Sequence, residues 1–216
     1  ALTSIICAHT IKIGLPAPLS MLIALIFGII LGTISGLMVT KSRLQPFIAT
    51  LITMTGYRGL TMILSGGKPI SRLGNNLLLN QIGKGSFLGI PIPVWILIIF
   101  FAIFLFVLKK TILGRQIYAT GSNAKAAELA GININNIKLI VYAVSGFMAS
   151  LSGLILVSRL GSAQPTLGSG YELDAIAAVA LGGTSMTGGR GKITGTLTGI
   201  LIIAVLNNGL NIIGVS

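Results

Sequence analysis

Apolar runs of about 15 to 25 residues recur along this 216-residue chain, and as helices they match the roughly 30 Å hydrocarbon core of a bilayer. A segment of that length and character has few stable solutions in lipid, because every backbone amide and carbonyl must be paired within the protein. The expected fold is therefore all-α: a polytopic transmembrane helix bundle. Composition agrees, since 53% hydrophobic and 8% charged residues with a mean hydropathy of +0.97 leave too little polar surface for a soluble globule.

The 15 Lys and Arg against 3 acids give a net charge of +12. These cations lie mainly between the apolar runs rather than beside aromatics on one surface, which is the positive-inside pattern of a membrane protein and argues against a nucleic-acid partner. The connection Lys109 to Lys138 holds Lys109, Lys110, Arg115, Lys125 and Lys138 against Glu128 alone, and is placed in the cytoplasm. Counting alternately, the turn with Lys41 and Arg43 is also cytoplasmic, and the Gly66 to Lys84 connection, with Lys68, Arg72 and Lys84, faces outward.

Ala17 to Val39 is the clearest span. Ala24, Gly28, Gly32 and Gly36 recur within it every four residues and define a face that another helix can approach closely. Phe47 to Ser65 is more polar, with Thr50, Thr53, Thr55, Tyr57 and Arg58, and is expected to be buried among other helices. Gly89 to Leu108 opens with Pro91 and Pro93 and places Trp95 near an interface. Leu139 to Val157 carries Ser145, Ala149 and Gly153 four apart, and Ile193 to Ile213 ends the series. Leu173 to Leu181 reaches only about 14 Å as helix, so it is a short re-entrant element or a broken span inside the bundle.

Each polar feature has a structural and a functional reading. Gly182 to Lys192 lacks the glycine and the Ser or Thr that a phosphate loop needs, having Met186 and Ile193 there, and reads as a tight turn joining two apolar segments. Glu172 and Asp174 precede a helix, where they offset the positive helix end with Ser169 or Ser162 ordering the loop, or else serve the pathway. Arg58 lies roughly 16 Å into its span, bonded structurally or lining a cavity. His9 has no companion for metal binding and Cys7 is a buried thiol. One His, one Cys and three acids give no catalytic constellation, no metal site and no cofactor site. In the basic connection, Asn123 is suited to cap a short Ala-rich helix and Gly131 to end it in the left-handed conformation.

Ile117-Tyr118-Ala119-Thr120-Gly121-Ser122-Asn123, followed by Ala126-Ala127, Leu129 and Gly131-Ile132, resembles the cytoplasmic loop of sugar ABC importer permeases of the ribose, xylose, galactose and autoinducer-2 group. Further matches are Gln45 to Leu51, Arg58-Gly59, Ser162 to Pro165, Gly170 to Val179, Leu181 to Ser185, Gly188-Gly189 and Leu206 to Asn211, most like ribose permeases. The resemblance implies a permease of the bacterial inner membrane, surrounded by lipid, that translocates a monosaccharide and performs no chemistry. It implies three partners: a cytoplasmic ABC ATPase, a periplasmic sugar-binding protein and a second permease copy. It assigns Asn123, Ala126, Ala127, Glu128, Leu129 and Gly131 to the ATPase-coupling loop, and leaves Arg58, Glu172, Asp174, Asn207 and Asn208 as polar positions of the pathway or the structure. Both chain ends read as cuts, so residues 1–216 are expected to be one transmembrane domain lacking the family's first and last helices. The competing class is a channel or proton-coupled secondary carrier for a small polar solute, also helical and glycine-rich.

Overall fold

The computed structural model describes residues 1–42, 44–71 and 77–214. Arg43 and Arg72 of the charge pattern, and Val215 and Ser216 at the end, lie outside the described residues. The elements are α1 (Leu2–Lys12), α2 (Ala17–Lys41), α3 (Pro46–Ser65), α4 (Leu77–Lys84), β1 (Ser86–Phe87), β2 (Ile90–Pro91), α5 (Ile92–Lys110), α6 (Ile112–Ser122), α7 (Ala124–Leu129), α8 (Ile134–Leu160), α9 (Tyr171–Leu181) and α10 (Ile193–Ile213). Five of them, α2, α3, α5, α8 and α10, are long and apolar enough to cross a membrane, at 25, 20, 19, 27 and 21 residues. The all-α bundle expected from the apolar runs is the fold. Two compact units divide the chain, one of residues 1–97 and 138–167, the other of 98–137 and 168–216.

In the first unit, α1 and α2 share a core of Ile5, Cys7, Ala8, Ala17, Met21 and Ala24 with Leu154 and Val157 of α8. The small-residue stripe of α2 is a packing face: Ala24, Gly28, Gly32 and Gly36 are all buried. Its partner is the Tyr142, Gly146 and Ser150 face of α8, where a Cβ on Gly32 would lie 3.0 Å from the Gly146 Cα and one on Gly36 would lie 3.0 Å from the Tyr142 Cβ. The Ser150 hydroxyl donates to the Ala24 carbonyl at 2.8 Å across this seam. The stripe expected on α8 is therefore corrected by one position, since Ser145 and Ala149 are exposed and only Gly153 packs inward, against Ser4. Spacing alone could not choose between two small-residue rows one residue apart.

The burial expected of α3 is not met within this chain. Ala49, Thr53 and Thr61 are its buried residues, while Phe47 and Ile63 are 67% and 77% exposed. Its threonines tolerate an apolar setting because each hydroxyl bonds a carbonyl one turn back, as in Thr55 to Leu51 at 2.9 Å and Thr61 to Tyr57 at 2.6 Å. The Tyr57 hydroxyl donates to the Leu31 carbonyl of α2 at 2.9 Å. His9 meets the Leu64 carbonyl at 2.8 Å, at the end of α3. That carbonyl belongs to the last helical turn, which leaves its acceptors without helical donors.

Two boundaries move. The span expected from Gly89 starts at Ile92, because Ser86–Phe87 and Ile90–Pro91 pair as an antiparallel hairpin with positive φ at Leu88 (55°) and Gly89 (76°), the geometry that matches strand twist in a two-residue turn. The Trp95 indole donates to the Phe87 carbonyl at 3.1 Å and meets its ring edge-on. The span expected from Leu139 starts at Ile134, with the Asn133 side chain accepting from the Asn136 amide at 3.1 Å. At 27 residues α8 is about 40 Å long, some 10 Å more than a hydrocarbon core needs.

Candidate functional site

The second unit carries the basic connection, and its local structure follows from two residues. Thr111 caps α6, a helix inside the basic connection, by accepting from the Gly114 amide at 3.3 Å. Asn123 then both ends α6 and starts α7. Its amide donates to the Ala119 carbonyl at 3.1 Å, and its side-chain oxygen accepts from the Ala126 amide at 3.1 Å. α7 stops at Gly131, where φ is +83°. The Ile132 amide reaches back to Ala127 at 3.0 Å and the Gly131 amide to Glu128 at 2.9 Å, the paired bonds of a Schellman stop. The helix expected between Asn123 and Gly131 is thus present with both of its expected ends.

Its faces are divided in a way the sequence did not reveal. Ala127 is 4% exposed and Leu129 is 86% exposed; Ala126 and Glu128 are exposed as well. Of the residues that the resemblance assigns to the coupling loop, Ala127 is therefore turned inward, and the apolar group presented outward is Leu129.

The remaining second-unit candidates sit on an antiparallel helix pair. Gly182 lies against Gly195 and Gly199 against Ala178, so close that a Cβ on Gly199 would be 3.0 Å from the Gly182 amide nitrogen. The short apolar run is α9, 11 residues and about 16 Å long, paired with the N-terminal part of the 21-residue α10. It is a half-span. Continued at the same register, Glu172 reaches the level of Val205, so Glu172, Asn207 and Asn208 lie within about one turn of one another along the pair. All three, with Asp174, are exposed within the chain.

Glu172 and Asp174 occupy the first turn of α9, where negative charge offsets the helix dipole. Gly170, at φ +91° and without a side-chain cap, holds the N-cap position, and the Glu172 carboxylate accepts from the Gly170 amide at 3.1 Å. Arg58 belongs to the first unit, exposed on α3. Gly182 to Lys192 forms the expected tight turn between α9 and α10.

The whole of residues 1–216 matches the family described as branched-chain amino acid transport system / permease component. The chain belongs to this permease family. Among curated proteins, the permease is 53% identical over 218 residues to the ribose import permease protein RbsC of Haemophilus influenzae, covering all of this chain and 68% of that protein. It is 51% identical over 216 residues to the one of Bacillus subtilis, covering 67% of it. To the L-arabinose transport system permease protein AraH of Escherichia coli it is 37% identical over 183 residues, 85% of this chain and 55% of that protein. No solved structure matches. The permease is thus a multi-pass subunit of an ABC importer in the bacterial inner membrane, a transporter rather than a catalytic subunit. The channel or secondary-carrier alternative gives way to that membership.

Proposed function

We propose that this permease moves ribose across the inner membrane, using ATP hydrolysed by a separate cytoplasmic subunit and sugar delivered by a periplasmic binding protein. The observation that carries the reading is the level of identity, 53% and 51% across the whole chain with ribose permeases of two distant bacteria against 37% over part of it with an arabinose permease.

The basic connection around α6 and α7 is cytoplasmic in this reading, and α7 is the element that docks on the ATPase. Three features support that assignment: it is capped at both ends, so it holds its shape as a rigid piece; it presents Leu129; and its other outward residues are small or charged. Closure of the ATPase then pulls α7 and switches the bundle between outward-open and inward-open states. Two copies form the pathway. Glu172, Asn207 and Asn208 at one level of α9 and α10, and Asp174 a half-turn further along α9, supply polar groups for a hydroxyl-rich substrate, because polar side chains at membrane depth face a cavity or a partner rather than lipid.

Proteoliposomes holding the full-length permease with its ATPase and binding protein test this. Uptake of labelled ribose that requires ATP and the binding protein, and that excess unlabelled arabinose fails to compete, is expected. ATP-independent uptake, or equal competition by arabinose, overturns it.

A further inference from the structure

The glycines of the α9–α10 turn have a use that a simple turn does not require. The turn is stiff on its own: the Ser185 amide donates to the Arg190 carbonyl at 2.8 Å, the Gly188 amide to Ser185 at 3.1 Å, and a Cβ on Gly191 would sit 2.8 Å from the Thr184 side chain. α9 enters it through a second Schellman stop, with Gly183 at φ +76° and the Thr184 amide bonded to Val179 at 3.2 Å. The tip of this stiff turn lies on the last turn of α6. A Cβ on Gly121 would fall 2.6 Å from the Gly189 nitrogen, one on Gly188 would fall 2.7 Å from the Gly121 oxygen, and one on Gly189 would fall 2.5 Å from the Ser122 Cα. Apart from the Ser122 Cβ, which lies 2.8 Å from where a Cβ on Gly189 would sit, the contact is backbone on backbone. The Tyr118 hydroxyl closes the joint by donating to the Gly191 carbonyl at 3.0 Å.

The position of this joint is what gives it a consequence. Ser122 is followed by Asn123, the residue that starts α7, and Gly191 is followed by Lys192, the cap position of α10. A displacement of α7 therefore reaches α9 and α10 through two peptide segments in direct contact rather than along the length of a membrane helix. We infer that the Gly188–Gly191 tip locked on Tyr118, Gly121 and Ser122 transmits coupling-helix movement to the helix pair that carries Glu172, Asn207 and Asn208, with Tyr118 as its positioning residue. The inference rests on the proposed importer reading. It also fixes a side for the turn: Arg190 and Lys192 lie with Lys109, Lys110, Arg115, Lys125 and Lys138 on the cytoplasmic face, which strengthens the positive-inside bias.

Tyr118→Phe is the mild probe, since it deletes one hydroxyl and leaves the ring. In proteoliposomes of the full-length complex, ATPase co-purification and basal ATP hydrolysis are expected at wild-type levels, while ribose taken up per ATP falls about two- to tenfold, the range that the net worth of one hydrogen bond corresponds to. Gly189→Ala, which adds a methyl against Ser122, lowers the same ratio further. An unchanged ratio in Tyr118→Phe sinks the transmission role, and so does a parallel loss of co-purification and basal hydrolysis, which is what a merely structural contact gives. A wild-type complex that neither retains its ATPase nor takes up ribose instead sinks the importer reading beneath it. Separately, a cysteine at Arg190 should react with a membrane-impermeant maleimide only after the cells are opened; reaction in intact cells overturns the assigned side.

Discussion

The seam between α2 and α8 offers a clean measurement, because the same substitution can be made where backbone is close and where nothing is near. At Gly32 an added Cβ would lie 3.0 Å from the Gly146 Cα and 3.2 Å from its nitrogen, and would overlap the Tyr142 carbonyl, so every neighbour is backbone. At Gly56 of α3 an added Cβ meets nothing within 4 Å. Alanine at either site gains the same helix propensity, roughly 0.5–1 kcal/mol. The difference between the two variants therefore isolates overpacking, about 1–3 kcal/mol. For a chain of this size that corresponds to about 2–12 °C in midpoint, readable by fluorescence-detected size exclusion of the full-length permease after heating in detergent. Gly32→Leu should be worse again and impair assembly, whereas Ile30→Leu, on the outward side of α2 at 45% exposure, should match wild type. If Gly32→Ala is as heat-resistant as Gly56→Ala, the two helices do not touch there and the packing of the first unit is wrong.

Gly131→Val places a β-branched residue at φ +83°, so the full-length permease should insert normally yet lose ATPase co-purification and uptake together, and retention of both would remove α7 from the coupling path. Leu129→Asp should abolish co-purification while leaving heat resistance unchanged, because that side chain is exposed; Ala127→Arg should lower heat resistance as well, because it forces a long cation into a buried position, and equal behaviour of the two would refute the division of faces. A cysteine at Lys125 should be labelled by impermeant reagent only in opened cells, with Cys7 silent because it is buried; labelling in intact cells would invert the orientation.

Where local chemistry decides an outcome, the sequence was sufficient. Five apolar runs became five spans, Asn123 and Gly131 became the ends of α7, and Ala24 to Gly36 became a packing face, because periodicity, caps and left-handed glycines act within a few residues. The failures lie one step further out. Which row of α8 meets α2 depends on helix rotation, set by the Tyr142 and Gly146 contacts rather than by spacing. Whether Ala127 or Leu129 points outward depends on how α7 rests on its own unit. α6 was missed because its start depends on Thr111 and its end on the shared Asn123, in a stretch whose hydropathy resembles a loop. At the candidate pathway, Glu172 and Asn207 stand far apart in the chain, and only the glycine register of α9 on α10 brings them level.

The brevity of α9 shapes what surrounds it. A pair of equal spans would offer lipid two sealed cylinders, but here one cylinder ends about 16 Å from the turn, with Glu172 and Asp174 in its first turn. The C-terminal stretch of α10, with Asn207, Asn208 and Asn211, continues past the end of α9. Acyl chains cannot satisfy such groups, so this step in the wall is a place where water or protein must stand in for lipid.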